Sequence, residues 1–342
     1  LFTITILTTI SSLALSVNYI KPIALADTPE GKTRVSNVQK GQLELPIISW
    51  GADIATLHAN GSLITTKNNS LFGQLGLDFK VVREDIFASQ LKNYLSGKTP
   101  YLRGTMGMIN MATDALAKDS RTRPIVIAKL SDSVGGDALV VKSNISKVAD
   151  LKGKTIVLQA YGPHLDYLSR ILKDAGLSIN DVNVKWVKDL TGTDNSPAEA
   201  LSDNNVDAVF VITPDALALT SNGNVGTGSE DSVRGARILM STKTASTVIA
   251  DVYAVRSDYL ENNPEAVSNF VLALIKAQEE VHTLTTQKSN SNEYQTLIRF
   301  SAKVLLDSET AIADAKGMYA DAQLATFNGN KTFFTDNNAA RR

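Results

Sequence analysis

Short apolar runs that alternate with helix-like stretches constrain the fold of this chain more than any other feature. The run Thr155–Gln159 is typical, because it is apolar and β-branched and ends in a Tyr-Gly-Pro-His turn. Runs of this length between turn residues predict strands buried on both faces. Ten such strands are predicted: Leu43–Ser49, Phe79–Arg83, Met106–Asn110, Ile125–Leu130, Ala138–Lys142, Thr155–Gln159, Val184–Val187, Ala208–Ile212, Arg237–Met240 and Val252–Arg256.

The stretches between these runs carry helical periodicity. After the turn, Tyr167, Ile171 and Leu172 recur at helical spacing and are followed by Gly176, a residue typical of helix C-termini. Strands that alternate with helices predict an α/β fold with mostly parallel sheets.

Ten strands are many for one sheet, so we expect two sheets of about five strands, each in its own lobe. Two crossovers are predicted, at Ser131–Asp137 and Thr244–Asp251. They divide the chain into a first lobe, residues 27–132 plus 249–342, and a second lobe, residues 133–248. Two connections between compact lobes predict a hinge with a ligand cleft beside it.

The first 26 residues predict an export signal. Leu1–Val17 is almost free of charge, and Ala24-Leu25-Ala26 is followed by a polar stretch from Asp27. This pattern is typical of a secretory signal peptide cleaved after an A-x-A sequence. A basic region and a starting Met are missing, which indicates that the signal is clipped at its front.

A membrane anchor is the alternative for this segment, and Lys21 and Pro22 disfavour it. We therefore expect a mature protein from about Asp27 that is periplasmic or otherwise exported, and soluble after cleavage.

Composition excludes several classes of function. The net charge of −1 and the pI near 6.4 give no reason to expect a nucleic-acid partner. The chain has no cysteine, and His58, His164 and His282 are scattered, so neither a thiol nucleophile nor a metal site is expected. P-loop, nucleophile-elbow and zinc-protease motifs are absent from the sequence, and we expect no cofactor and no enzymatic activity.

Three segments together resemble a known family. They are GGDALVVKSNISKVADLKGKTIVLQAYGPHLDYLSRILKDAGLSINDVNV, PAEALSDNNVDAVFVITPDALAL and ADVYAVRSDYLENNPEAVSNFVLALIKA. Their order is similar to that in solute-binding proteins of the nitrate, sulfonate, taurine and thiamine-pyrimidine type. The resemblance covers roughly Leu43 to Ala277. The stretch Pro100–Gly104 departs from the family pattern as an insertion and suggests a separate subgroup.

The resemblance implies a type II periplasmic-binding-protein fold, in which two α/β lobes are joined by a two-strand hinge. It also implies delivery of a small-molecule ligand to the membrane permease of an ABC importer. We expect a monomer.

The candidate ligand-binding residues follow from strand ends. In open α/β sheets ligands lie beyond the carboxyl ends of the strands, where helix N-termini offer free N–H groups. An arginine can add a paired grip on an oxyanion. The candidates are Trp50, Gly51 and Asp53; Arg103; Asn110 and Thr113; Tyr161, Gly162 and His164; Thr213; and Asp251.

Structural interpretations stay open for the first group of these residues. Trp50 suits either a core or a cleft where Gly51 admits a ligand to the backbone. Asp53 is equally suited to capping a helix. Arg103 is either a counter-charge for an anion or a solvated loop residue.

The second group is equally open. Tyr161 combines a flat apolar face with a hydroxyl, which suits a cleft or a lobe surface. His164 is more typical of a first helical turn than of a ligand contact. Asp251 is a hinge residue or a cation-binding group, and Thr213 precedes a helix-starting proline.

The leading functional hypothesis is a receptor whose lobes close on a small organic or inorganic anion. Helix N-termini and Arg103 favour an oxyanion, while Trp50, Tyr161 and Tyr253 favour an organic body. One alternative is an enzyme of pyrimidine synthesis on the same fold, although the absence of cysteine speaks against it. The other is a ligand-sensing module.

Overall fold

The computed structural model describes residues 17–229, 232–244 and 248–336. The front of the predicted signal peptide, residues 1–16, and part of the second predicted crossover, residues 245–247, lie outside the described residues. The strands are β1 (Leu43–Ile47), β2 (Phe79–Arg83), β3 (Tyr101–Thr105), β4 (Pro124–Ser133), β5 (Asp137–Val141), β6 (Thr155–Gln159), β7 (Asn183–Val187), β8 (Ala208–Ile212), β9 (Arg237–Ser241), β10 (Ala250–Arg256) and β11 (Ala322–Leu324).

Helices separate most of these strands. They are α1 (Asp53–Ala59), α2 (Leu71–Gln74), α3 (Phe87–Leu95), α4 (Met106–Met111), α5 (Thr113–Leu116), α6 (His164–Asp174), α7 (Pro197–Ala200), α8 (Thr213–Leu219), α9 (Ser257–Asn262), α10 (Pro264–Gln287), α11 (Asn292–Leu306), α12 (Ile312–Ala320) and α13 (Thr326–Thr335). Short 3₁₀ turns occupy Leu25–Asp27, Ser120–Thr122, Val148–Leu151 and Ile179–Asp181. Among the described residues, no helix is both long and apolar enough to cross a membrane.

The described strands form three sheets. A five-stranded sheet has the order β7-β6-β8-β5-β9, in which β6 runs parallel to β7 and β8 while β5 runs antiparallel to β8 and β9. A four-stranded sheet, β11-β4-β10-β3, is antiparallel throughout, and β1 and β2 form a parallel pair. The expectation of two mostly parallel sheets of about five strands is therefore wrong, above all for the first lobe.

Each sheet lies within one predicted lobe, apart from the last residue of β4, Ser133, which is one residue past the predicted boundary. The five-stranded sheet uses residues 137–241, and the other two use residues 43–133 and 250–324. The lobe boundaries at residues 132/133 and 248/249 stay predictions.

Nine of the ten predicted strands overlap observed strands, and three of them match end to end: β2, β6 and β8. The prediction of a strand at Met106–Asn110 is wrong, because this segment is the helix α4. The Thr105 hydroxyl accepts a hydrogen bond from the Met108 N–H (3.2 Å) and caps that helix. The strand lies instead in the supposed insertion, as the fully buried β3.

The three central strands of the five-stranded sheet, β6, β8 and β5, are buried on both faces. Along β5, Leu139 and Val141 pack in the cluster that holds the apolar face of α6, while Ala138 and Val140 pack in the cluster that covers α7 and α8. Alternating residues of one strand thus enter two cores, which explains its uninterrupted apolar sequence.

The two connections between the lobes lie side by side. β4 ends at Ser133 and β10 begins at Ala250, and the two strands pair antiparallel with Ala250 opposite Asp132. The Ser133 N–H also donates to the Ile249 carbonyl at 3.0 Å. The lobes therefore meet at a two-stranded ribbon.

Candidate ligand-binding cleft

A cavity of about 480 Å³ lies between the lobes at the carboxyl ends of strands from both. Ser49 and Asp85 follow β1 and β2 on one side, while Gln159 ends β6 and Asp189 follows β7 on the other. We call this cavity the cleft. It is lined by Ser49, Arg83, Glu84, Asp85, Ile86, Gln159, Asp189, Leu190, Thr191, Gly192, Thr193, Ile212, Leu305, Leu306, Asp307 and Met318.

Hydrogen bonds fix the walls of the cleft. The Ser49 backbone N–H and hydroxyl donate to the two carboxylate oxygens of Asp85, at 2.6 and 2.9 Å. From the second lobe, the Gln159 amide Nε2 donates to the carbonyl of Lys188 at 3.3 Å and reaches the carbonyl of Asp85 at 3.5 Å. Gln159 therefore touches both walls.

Gly162 makes room for that glutamine. A Cβ added at Gly162 would lie 2.4 Å from Gln159 Oε1, closer than a methyl group can approach. The predicted role of Gly162 at the ligand stays a prediction, but the structure shows that it lets the Gln159 side chain fold over the turn.

Carboxylates dominate the charge of the cleft. Four acidic side chains and one basic side chain, Arg83, line it. Arg83 is engaged by neighbours, since it donates to the carbonyls of Val304 (3.0 Å) and Leu305 (3.1 Å) and to Asp307 Oδ2 (2.6 Å). Burial raises the pKa of Glu84 against its hydrogen bond from Ile86.

A second set of predicted residues forms a buried polar cluster in the first lobe. Arg103 Nη2 and Nε donate to Asp53 (2.7 and 3.1 Å), and Arg103 Nη1 donates to Asp251 Oδ1 (2.8 Å). The Ser131 hydroxyl donates to Asp251 Oδ2 (3.2 Å) and accepts from the Trp50 indole N–H (3.0 Å). The cluster thus joins four predicted site residues in one network.

Arg103 has no solvent-exposed surface, so the interpretation of it as a solvated loop charge is wrong. It lies in β3, and its guanidinium is bound by the two carboxylates of Asp53 and Asp251. Burial raises the pKa of both aspartates, and the Arg103 charge opposes the rise. Within the structure Arg103 neutralises buried acids, and any grip on an anion stays a prediction.

Trp50 and Gly51 are packed against the protein itself. A Cβ added at Gly136, next to the crossing, would lie 2.2 Å from the Trp50 ring, and one at Gly51 would lie 2.0 Å from the Met318 carbonyl oxygen. The sequence predicts that a ligand approaches the backbone of Gly51, but in the structure the Met318 carbonyl of α12 covers that backbone.

His164 and Thr213, in the second predicted lobe, contact residues 135–137, which follow the end of β4. His164 is fully buried at the start of α6, with Nε2 2.7 Å from Asp137 Oδ1, and its Nδ1 has no hydrogen-bond partner among the described residues. The Thr213 N–H donates to the Gly136 carbonyl (2.8 Å), and its hydroxyl donates to the Gly135 carbonyl.

The remaining candidates lie apart from the cleft lining. Asn110 and Thr113 are exposed on α4 and α5, because the strand expected to present them is a helix. Tyr161 adopts a left-handed backbone (φ 59°), and its hydroxyl bonds to the Ile23 backbone. Their ligand-binding roles stay predictions.

None of the eleven predicted candidates is among the residues that line the cleft. Ser49 and Ile212 are immediate neighbours of predicted candidates and Gln159 lies two residues before one, whereas Asp85 and Asp189 follow two correctly placed strands whose ends were not considered. Applying the rule of strand carboxyl ends to every strand finds them.

Comparison with solved structures defines the class of fold. The structure is similar to the aliphatic sulphonate binding protein SsuA of Escherichia coli, with a TM-score of 0.59 and 18% identity over 89% of this chain and 92% of that one. It is also similar to the alkanesulfonate-binding protein SsuA of Xanthomonas axonopodis pv. citri bound to MOPS, with a TM-score of 0.56 and 19% identity over 84% and 87%. The predicted type II periplasmic-binding-protein fold is confirmed.

The sequence profile of the NMT1/THI5-like family matches residues 61–283, and the chain belongs to this family. The taurine-binding periplasmic protein of Escherichia coli K12 is 31% identical over 179 residues, which are 52% of this chain and 49% of that protein. The match thus spans about half the length of this curated relative.

Proposed function

We propose that the chain is the extracytoplasmic solute-binding receptor of an ABC importer, and that its two lobes close on a small organic anion in the cleft. One observation carries the proposal: a cavity of about 480 Å³ is lined by strand ends of both lobes. This volume suits a small molecule, and contacts from both lobes let the solute favour the closed arrangement.

The charge of the cleft narrows the ligand class. A simple inorganic oxyanion would face four carboxylates and an arginine that is already engaged. A zwitterion that carries an ammonium and a sulfonate would instead pair its ammonium with the carboxylates. The hydroxyls of Ser49, Thr191 and Thr193 each donate to a carboxylate in the structure, so they can serve the anionic end only when the bound solute displaces those carboxylates. The Gln159 amide, whose bonds are 3.3 and 3.5 Å long, is the more easily released donor. We therefore favour a taurine-like solute, which agrees with the name of the 31% identical relative.

The cellular setting belongs to the same proposal. Residues 1–26 act as an export signal, and the mature protein is a monomer that delivers its solute to a membrane permease. The family membership and the export-type sequence of this segment support this setting.

A thermal-shift panel tests the proposal. The panel contains taurine, methanesulfonate, ethylamine, nitrate, sulfate and an aminopyrimidine, each over a concentration series. A receptor for a zwitterionic sulfonate shows a concentration-dependent rise of the melting temperature with taurine, about 2.7 kcal/mol of stabilisation at 100-fold excess over Kd. A response to nitrate or sulfate alone would contradict the ligand class. No response to any solute, together with turnover of the pyrimidine, would favour the enzyme alternative.

A further inference from the structure

The segment of residues 17–28, which we call the strap, runs across both lobes. Its first half lies on the second lobe: the Asn18 N–H donates to Asn195 Oδ1 (3.1 Å), and the Ile20 N–H donates to the Trp186 carbonyl (2.9 Å). The Ile20–Trp186 pair forms an antiparallel bridge at the outer strand β7 of the five-stranded sheet. The strap therefore extends this sheet at its edge.

The second half of the strap lies on the first lobe. The Leu25 side chain is 2% exposed and, with Ala26, belongs to the buried cluster that contains Phe87 and Leu91. The Lys118 ammonium donates to the Ala26 carbonyl at 2.7 Å. A Cβ added at Gly31 would lie 1.8 Å from the Leu25 carbonyl oxygen, so the chain turns back tightly over this anchor.

A tyrosine of the second lobe is hydrogen-bonded to the middle of the strap. The Tyr161 hydroxyl donates to the Ile23 carbonyl (2.8 Å) and accepts from the Ile23 N–H (3.3 Å). The left-handed backbone of Tyr161 is disfavoured for a residue with a side chain. Such a conformation persists where surrounding contacts hold it, and the paired bonds to the strap are contacts of this kind.

Apolar side chains of both lobes meet beneath the strap. A cavity of about 230 Å³ is bounded by the strap, by Met111 of the first lobe and by Leu165 and Trp186 of the second. The strap therefore covers a seam between the lobes, on residues that the cleft does not use.

We propose that the strap is a latch that holds the two lobes in the arrangement described here. Its contacts with the second lobe come from residues before Ala24, and its buried anchor on the first lobe comes from Leu25 and Ala26. The Ala26 side chain is buried and its carbonyl accepts from Lys118, so cleavage after Ala26, where the sequence predicts processing, requires this anchor to detach first. A mature chain that begins at Asp27 would lack the latch.

Interlobe distance in the full chain tests the latch. Because the chain has no cysteine, Lys173→Cys on α6 and Lys276→Cys on α10, both exposed, place one dye on each lobe for single-molecule energy transfer. Tyr161→Phe removes the hydroxyl that grips Ile23, and Gly31→Ala displaces Leu25. We expect each to raise the population of molecules with separated lobes roughly three- to tenfold.

Two matched controls isolate the effect of the strap. Tyr319→Phe removes a hydroxyl that bonds to Thr285 within the first lobe, and Gly317→Ala adds a methyl group where nothing lies within 4 Å. Distance distributions that are the same in Tyr161→Phe and Tyr319→Phe, with both proteins folded by circular dichroism, would overturn the proposal. Should Gly31→Ala fail to fold, the tyrosine pair decides.

The measurement needs no solute, so its failure is separate from a failure of the proposed receptor function. Only the consequence for solute uptake rests on that function.

Discussion

Two trios of the same composition lie in very different surroundings. Arg103 binds Asp53 and Asp251 in the buried cluster, and Arg83 binds Asp85 and Asp307 at the cleft. The side chains of the first trio are at most 3% exposed, whereas Arg83, Asp85 and Asp307 are 27%, 34% and 77% exposed. Water can replace a lost partner in the second trio but not in the first. The same residue types therefore form a buried structural network in one place and a solvent-exposed network at the cleft in the other.

The largest effect is expected from Arg103→Met. It leaves Asp53 and Asp251 buried without the arginine that they share, and among the described residues only the Ser131 hydroxyl still donates a hydrogen bond, to Asp251. We expect a loss of about 3–5 kcal/mol in the free energy of unfolding, measured by urea denaturation. Arg83→Met is the matched control and should cost less than about 1 kcal/mol. Equal losses of unfolding free energy in the two variants would contradict the contrast between the buried and the exposed trio.

Gly136→Ala tests how tightly Gly136 packs against the Trp50 ring of the buried cluster. The new Cβ would meet the Trp50 ring at 2.2 Å, and we expect a loss of about 1–3 kcal/mol by denaturation. Trp50→Phe removes the part of the ring that is struck, so the double variant should be more stable than the sum of the two single losses predicts. Simple additivity would show that the two residues do not meet.

Gln159→Leu tests the cleft, the more exposed of the two regions compared. It removes an amide that lines the cleft and reaches toward both walls, while its size is kept. If the proposed taurine-like solute binds there, calorimetry should show about tenfold weaker binding, or about 1.4 kcal/mol. Gln42→Leu removes an exposed amide that bonds to Asp78 and should leave affinity unchanged. Unchanged affinity in Gln159→Leu would take this residue out of the site.

The smallest effect is expected at Asp215, which is bonded to a hydroxyl and not, like the aspartates of the two trios, to an arginine. Burial raises the pKa of Asp215 to about 6, partly opposed by the Thr191 hydroxyl, and its Oδ2 has no hydrogen-bond partner in the described part of the chain. Between the unfolded pKa, about 3.9, and about 6 the folded state binds more protons, so stability falls as pH rises through this window.

Asp215→Asn should remove this fall and gain about 1 kcal/mol relative to the parent between pH 4.5 and pH 7.5. Thermal denaturation over that range measures it, with the exposed Asp174→Asn as control. A pH profile identical to that of the parent would contradict the assignment.

Local patterns predicted much of the fold because most strands contain several apolar residues within a short segment bounded by turn residues. β2, β6 and β8 match the predicted ranges end to end. β3 was missed because Arg103 interrupts its apolar sequence, and the two carboxylates that allow its burial come from distant segments, α1 and β10. A sequence pattern does not reveal that a charge is neutralised from 50 or 148 residues away.

Only the general position of the candidate site, beyond the carboxyl ends of strands, could be predicted from the sequence. The strand-end rule pointed to the correct turns near Ser49 and Gln159, and the cleft does lie there. Among charged residues, however, the sequence favoured Arg103 over Arg83. The difference between them is solvent exposure, which is a property of the assembled lobes.

The side-by-side pairing of β4 and β10 limits how the lobes can move. Two separate tethers would permit bending, twisting and sliding, but strands that share hydrogen bonds must deform together. The register shifts beside Asp251 and Tyr253 are the places where such a ribbon bends most readily. We therefore expect the two predicted lobes to move about nearly a single axis, so that every solute that enters meets the same pair of facing surfaces.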